Sequence, residues 1–257
     1  MGRSRAGGPH RDVATVREPA AALPPPAEKA AAVRRMFGAI APRYDLLNHL
    51  LSLNLDRRWR RHAVDRLLDS GSGAGTYLDS CAGTLDLALE LARRPAFRGR
   101  VVACDFTYAM LARGAEKGRN APVDSVCGDA LNLPLRNGSV QGAMVGFGVR
   151  NLASLEAGLR ELGRVLEPGG RLVILEFAVP RWPPFRAIYL QYFRRILPWI
   201  GRRISRHGTA YDYLPASVLE FPSPEQLGAM LGDSGFRDVR WHALAGGIVA
   251  IHEAVRR

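Results

Sequence analysis

Residues 76–92 read TYLDSCAGTLDLALELA. A short apolar run, residues 76–78, ends on Asp79; the small residues Ala82 and Gly83 follow, and Leu85, Leu87, Ala88, Leu91 and Ala92 then recur at helical spacing. The pattern predicts a strand, a tight turn and a helix. In an open α/β sheet, ligands sit beyond the carboxyl ends of the strands, and a small-residue turn lets backbone approach them closely. A dinucleotide does not suit this turn. The G-x-G-x-x-G fingerprint is absent, and Asp79 and Asp86 stand where a pyrophosphate would want only N–H groups. Carboxylates at such a mouth suit a ligand that carries positive charge.

Downstream, strand and helix alternate, the pattern of a mostly parallel sheet covered on both faces. Strands are predicted at 100–105, 123–127, 140–147, 171–177, 237–244 and 248–253, and helices at 108–117, 154–166, 184–204 and 224–234. Glu167-Pro168-Gly169-Gly170 signals a turn into the fifth strand. Only Ala245-Gly246-Gly247 separates the last two strands, which predicts an antiparallel hairpin at one edge. Seven strands ending in such a hairpin describe the Rossmann-like sheet of class I methyltransferases better than a dinucleotide fold.

Upstream, residues 1–30 are rich in Ala, Pro, Gly and Arg without apolar periodicity and read as a disordered tail with no signal-peptide core. Helical signals begin near Lys29. Pro42 is expected to interrupt a first helix, and Asp56 to cap a second that runs to about Asp69. Residues 31–70 would form a helical lid, and 31–257 a single catalytic domain. The 257 residues, 47% hydrophobic and 23% charged, allow an ordinary folded core. No apolar run reaches the roughly 20 residues of a membrane span. Cys81, Cys104 and Cys127 lack C-x-x-C spacing, which argues for a reducing, cytoplasmic setting and against a disulfide framework or a metal site. The net charge of +12 implies an anionic partner, and 181–207 alone holds seven arginines and no acid.

Asp105 ends the second predicted strand 22 residues beyond Gly83. An acid at that distance is where α/β cofactor domains hold ribose hydroxyls, because two carboxylate oxygens match a vicinal diol. Asp129, after the third strand, would stand near an adenine amino group. Three acids at successive strand ends, with a turn that favours a cation over a phosphate, point to S-adenosylmethionine.

The runs MFGAIAPRYDLLNHLLSLNLDRRWRR, LDSCAGTLDLALELA, VVACDFTYAMLARG, GDALNLP, GFGVRNL, ELGRVLEPGGRLVILEF, AYDYLPASVLEFPSPEQLGAML and GFRDVRWHALAGGIVAIHEA resemble the ubiquinone/menaquinone biosynthesis C-methyltransferases (UbiE/MenG) over roughly residues 33–253. The resemblance implies methyl transfer from S-adenosylmethionine to a ring carbon of a polyprenylated quinol. It places the cofactor against Asp79, Gly83, Thr84, Asp86, Asp105, Phe106, Asp129 and Ala130. Gly146 stands where many members carry serine, so only its backbone can contribute. Leu85 stands where the family carries glycine. A leucine held at positive φ costs about 1–2 kcal/mol, so either residue 85 takes negative φ or affinity falls; with Gly83, Thr84 and Asp86 retained, cofactor binding is expected to survive.

C-methylation of a quinol requires a phenolate that pushes charge onto the ortho carbon. Arg150 and Asn151, in GFGVRN, are the expected catalytic pair. Arginine is a poor proton acceptor, so Arg150 would stabilise the oxyanion or polarise a water, and Asn151 would orient that water. Tyr44 would close over the ring from the lid; His49 and His62 are bases by chemistry alone. The aromatic, arginine-bearing segment 181–207 suits a headgroup interface and peripheral contact with anionic lipid. Its aromatics could instead line the quinol pocket. A homodimer is compatible with the sequence. A nucleic-acid amino methyltransferase would favour a (D/N)-P-P-(Y/F) run where FGVRN stands, and no cysteine nucleophile follows Cys127. Another small-molecule acceptor, RNA, and a silent binding protein that has lost the cofactor through Leu85 stay open at this level.

Overall fold

The sheet grows outward from β1 (Thr76–Ser80), buried along nearly its whole length. The computed structural model describes residues 23–69, 73–196 and 209–257. β2 (Arg100–Asp105) and β3 (Val123–Cys127) add in parallel on one side of β1, and β4 (Val140–Gly146) and β5 (Leu166–Phe177) on the other. β7 (Val249–Arg256) pairs antiparallel with β5 and with β6 (Phe236–Leu244), giving the order β3-β2-β1-β4-β5-β7-β6. The expected edge hairpin is present, with β7 inserted between β5 and β6. The chain leaves β1 for β2 and β3, then crosses back to β4, so the topological switch point lies between β1 and β4.

Successive strand residues alternate between two apolar layers. Tyr77, Met144 and Val173 join one core, and Leu78, Val145 and Ile174 the other. α3 (Leu55–Leu68) and α4 (Asp86–Ala92) cover the first face through Trp59, Val64, Leu67, Leu87 and Leu91. α6 (Leu155–Val165) and α9 (Pro224–Asp233) cover the second through Leu159, Leu162, Leu227 and Leu231. Each leucine fully removed from water contributes about 1.5–3 kcal/mol. The sheet is therefore fixed from both sides.

The lid departs from expectation. α1 (Pro26–Ile40) starts inside the stretch read as tail, because proline is tolerated in a helix's first turn; residues 1–22 of that stretch lie outside the described residues. A 3₁₀ turn, Ala41–Arg43, holds Pro42, as the proline signal suggested, and α2 (Tyr44–Leu51) follows as a separate helix. Asp56 is not a helix cap. Asn54 takes the cap position at φ 61°, while Asp56 is buried and accepts from Ser52 Oγ (2.7 Å), His49 Nδ1 (2.8 Å) and Arg60.

α5 (Tyr108–Lys117) has the expected bounds. The EPGG turn is absorbed into β5 as a bulge: Val140 pairs with Leu166 and Gly142 with Arg171, so five steps on one strand face two on the other. α7 (Pro183–Gln191) continues into a π-helical turn, Tyr192–Ile196; the rest of the helix expected over 184–204 lies outside the described residues. α8 (Thr209–Glu220), with Pro215 inside it, was not expected.

Candidate active site

The turn after β1 is built from left-handed residues: Cys81 (φ 58°), Gly83 (φ 53°) and Leu85 (φ 67°). Negative φ at residue 85 is thereby overturned. Leu85 tolerates its conformation because its side chain is fully buried in the core and packs on Gly114, where a Cβ would come within 2.3 Å of Leu85 Cγ. Burial worth about 1.5–3 kcal/mol offsets strain of about 1–2 kcal/mol. Gly83 N–H donates to Asp105 Oδ2 (2.9 Å) and Thr107 N–H to Asp105 Oδ1 (2.8 Å), tying the turn to the end of β2. Burial pushes the Asp105 carboxyl up against these two amides. Each oxygen still has a second acceptor site.

A narrow cavity of about 60 Å³ runs along the strand ends and brings together Gly83, Asp105, Phe106, Asp129, Ala130 and Gly146 from the expected cofactor set, with Tyr44 and Asn151 at its end. Ala30, Val33 and Phe37 of α1 roof it. The roof is fastened: the Arg34 guanidinium lies 5.1 Å from the Phe106 ring centroid, and Lys29 Nζ donates to the Arg150 carbonyl (2.9 Å).

Asp79, Thr84 and Asp86 do not line this cavity. Asp79 is buried behind the turn, where Oδ2 accepts from Ala88 N–H (2.9 Å) in the first turn of α4. Burial, with a smaller push from Asp105, raises its carboxyl to about 8. Thr84 Oγ1 donates to Asp45 Oδ1 (2.5 Å), linking the turn to α2. Asp86 is held by Lys117 (2.6 Å) and Arg60 (3.5 Å).

A second, apolar cavity of about 460 Å³ lies between the lid and α7–α8, lined by Met36, Ile40, Trp59, Arg150, Phe177 and Tyr189 among others. Phe37, Tyr44 and Phe147 belong to both cavities and form their common wall. Arg150 is buried at this junction, where Nη1 donates to Glu176 Oε1 (2.7 Å) and to the Phe147 carbonyl (2.5 Å). Its guanidinium lies 5.3 Å from the Phe177 ring centroid, and its Nε has no hydrogen-bond partner. Asn151 Oδ1 accepts from the Tyr213 hydroxyl (3.2 Å). Tyr44 stacks edge-on against Phe37, and burial raises its phenol pKa. His49 pairs with Asp56 in the lid and His62 is exposed; neither lines the two cavities.

Sequence reasoning missed Glu176, Phe147 and Tyr213, whereas Tyr189 is one of the aromatics of 181–207 for which pocket lining was the alternative reading. Glu176 had a usable signal, since it is a carboxylate near a strand end, as Asp105 is. Tyr213 had none, because α8 was not expected.

The sheet order, antiparallel β7 and strand-end cleft define a class I methyltransferase fold. A SAM dependent methyltransferase from Aquifex aeolicus shares that fold, with a TM-score of 0.54 at 20% identity over 76% of this chain and 89% of that one. The model of the ubiE/COQ5 methyltransferase family matches residues 26–256, and the chain belongs to that family. It is 48% identical over 219 residues to a demethylmenaquinone methyltransferase of Thermus thermophilus, covering 84% of this chain and 98% of the relative. It is 44% identical over 229 residues to a ubiquinone/menaquinone biosynthesis C-methyltransferase UbiE of Geobacter sp. (strain M21), covering 88% and 96%.

Proposed function

We infer that the chain transfers the methyl group of S-adenosylmethionine to a ring carbon of a polyprenylated quinol. The observation that carries this reading is the shared wall: a strand-end cleft bearing acids meets a large apolar cavity at Tyr44 and Phe147, with a buried Arg150–Glu176 pair at the junction. The residues of the cleft fit the cofactor. Asp105 would hold the ribose hydroxyls with its remaining acceptor sites, Asp129 and Ala130 the adenine edge, Phe106 the flat face of the base, and Gly83 and Gly146 would let backbone come close. Asp79, Thr84 and Asp86 shape the turn from behind. At about 60 Å³ the cleft is far below the roughly 300 Å³ of a small-molecule site, so its lining must widen to admit the ligand.

When bound, S-adenosylmethionine would supply an electrophilic methyl that the ring carbon takes, with S-adenosylhomocysteine as the leaving group. This chain's residues make that carbon nucleophilic. Glu176 and the Phe147 carbonyl fix the Arg150 guanidinium at the wall of the apolar cavity, where its charge would stabilise a quinol oxyanion. Asn151, held by Tyr213, orients the water that takes the proton, and Tyr44 covers the ring. The apolar walls exclude other water, which strengthens the Arg150 interaction.

Peripheral contact with anionic membrane belongs to this reading. Along the described part of 181–207, Trp182, Arg186, Ile188, Arg195 and Ile196 are exposed, whereas Tyr189 and Phe193 turn into the apolar cavity. Among the described residues no helix is long and apolar enough to cross a membrane. The test is turnover of labelled S-adenosylmethionine with a demethylmenaquinol analogue, wild type beside Arg150→Lys. Labelled quinone is expected from the wild type, and kcat lower by roughly 100-fold or more in the variant; no transfer by the wild type refutes the function.

A further inference from the structure

The outer face of α2 and the turn that follows it carry leucines in water. Leu46 is 63% exposed, Leu50 48%, Leu53 79% and Leu55 37%. Leu46 and Leu50 stand one helical turn apart on the same face, and Leu53 projects from the bend into α3. That bend is strained as well as apolar: Leu53 and Asn54 both take left-handed conformations, φ 52° and 61°, which a bulky residue adopts rarely. It is also rigid. Beneath it lies the buried Asp56 carboxylate with Ser52, His49 and Arg60 gathered on it, and backbone bonds from Leu53 N–H to the Leu50 carbonyl (3.2 Å) and Asn54 N–H to the His49 carbonyl (2.7 Å) close the turn. A stiff element that spends conformational strain to hold a leucine four-fifths in water implies an apolar partner.

Two observations name the partner. Leu50, Leu53 and Leu55 also line the 460 Å³ apolar cavity, so the cavity opens to the surface through the leucines themselves. Around this mouth the charge is positive. Arg57 and Arg58 are exposed in the first turn of α3, while the nearby acids are engaged, Asp45 by Lys117 and Thr84 and Asp56 by Arg60. Exposed leucines rimmed by arginines match the acyl boundary and anionic headgroups of a bilayer.

We propose that the α2–α3 turn, Leu46, Leu50 and Leu53 above all, is the element that enters an anionic membrane surface and sets the mouth of the apolar cavity against the lipid. The inference rests on the reading of a lipid-borne quinol. It assigns insertion to the lid rather than to 181–207, of which the exposed Arg186 and Arg195 then serve as a flank. A quinol would pass from bilayer to cavity without crossing water.

The test is co-sedimentation of the full chain with vesicles of phosphatidylcholine and phosphatidylglycerol. Leu46→Gln with Leu53→Asn removes two exposed leucines, and asparagine suits the left-handed position at 53. Unchanged thermal unfolding shows that the variant folds. Vesicle affinity is expected to fall by roughly tenfold or more per leucine, and by less in Arg186→Glu with Arg195→Glu. No vesicle binding by the wild type, wild-type binding by the leucine variant, or a larger loss from the arginine variant overturns the proposal. A second arm keeps the two readings apart. Leu46→Gln, outside the cavity lining, should methylate a short-tailed water-soluble quinol at the wild-type rate and a vesicle-embedded one more slowly; equal rates on both overturn the membrane role. If the wild type methylates no quinol yet binds vesicles through the leucines, the function reading fails and the surface stands.

Discussion

Tyr189 lines the apolar cavity and holds a buried hydroxyl that has no hydrogen-bond partner. A buried donor left unpaired costs about 1–3 kcal/mol, more than a made hydrogen bond returns. Tyr189→Phe is therefore expected to leave thermal stability unchanged or raised while KM for the quinol increases several-fold. A loss of stability in unfolding experiments would show that the hydroxyl serves the fold. Asp79 makes the second residue-level prediction. Its folded pKa of about 8 stands above the ordinary 3.8, so the folded chain binds a proton that the unfolded chain has released between those values. Stability from this group is complete below about pH 4 and is lost as pH rises toward 8. Asp79→Asn cannot ionise and should flatten that decline; unfolding temperatures measured from pH 5 to 8.5 should diverge progressively in favour of the variant.

At the scale of elements, the lid is joined to the cofactor turn through charge. Asp45 of α2 accepts from Thr84 Oγ1 and from Lys117 Nζ (2.9 Å), and Lys117 also binds Asp86. Burial opposes ionisation of Asp45, but the hydrogen bonds from Lys117 and Thr84 outweigh it and hold the carboxyl below its usual range. Partly exposed pairs of this kind are worth about 0.2–1 kcal/mol, enough to bias a local opening but not to unfold a domain. Asp45→Asn should speed amide exchange in α2 several-fold with little change in unfolding temperature; unchanged exchange would mean that apolar packing alone seats the lid. The same distinction explains what could be read in the sequence. β2 and β5 carry apolar runs, Val101–Cys104 and Leu172–Leu175, because both faces are covered there, and α6 and α9 begin on Ser154 and Ser223 caps, so they were legible. The lid was legible as helix with a break at Pro42, but α2 was not told apart as a helix of its own, since the second break is a left-handed Leu53-Asn54 pair without glycine. α8 was hidden by Pro215.

At the scale of the molecule, six of the nine expected cofactor residues share one cavity because strand ends converge wherever a parallel sheet is built. What stayed illegible was contact across distant sequence. Glu176 reaches Arg150 over 26 residues and Tyr213 reaches Asn151 over 62, and neither pairing has a local periodicity to announce it. The common wall of Phe37, Tyr44 and Phe147 has a thermodynamic consequence. A ligand that orders those rings from one cavity prepares them for the other, and such help is reciprocal: whatever factor S-adenosylhomocysteine adds to quinol-analogue affinity, the analogue must return to S-adenosylhomocysteine. Titration calorimetry in both orders should give the same coupling factor, within the roughly 5–150-fold typical of linked sites, and independent binding would show that the rings move separately. α1 supplies Phe37 to that wall and Lys29 and Arg34 to its fastening, so the helix that roofs the cofactor cleft also bounds the quinol cavity. Methyl donor and acceptor then meet across that wall, and a change in α1 is felt on both sides of it.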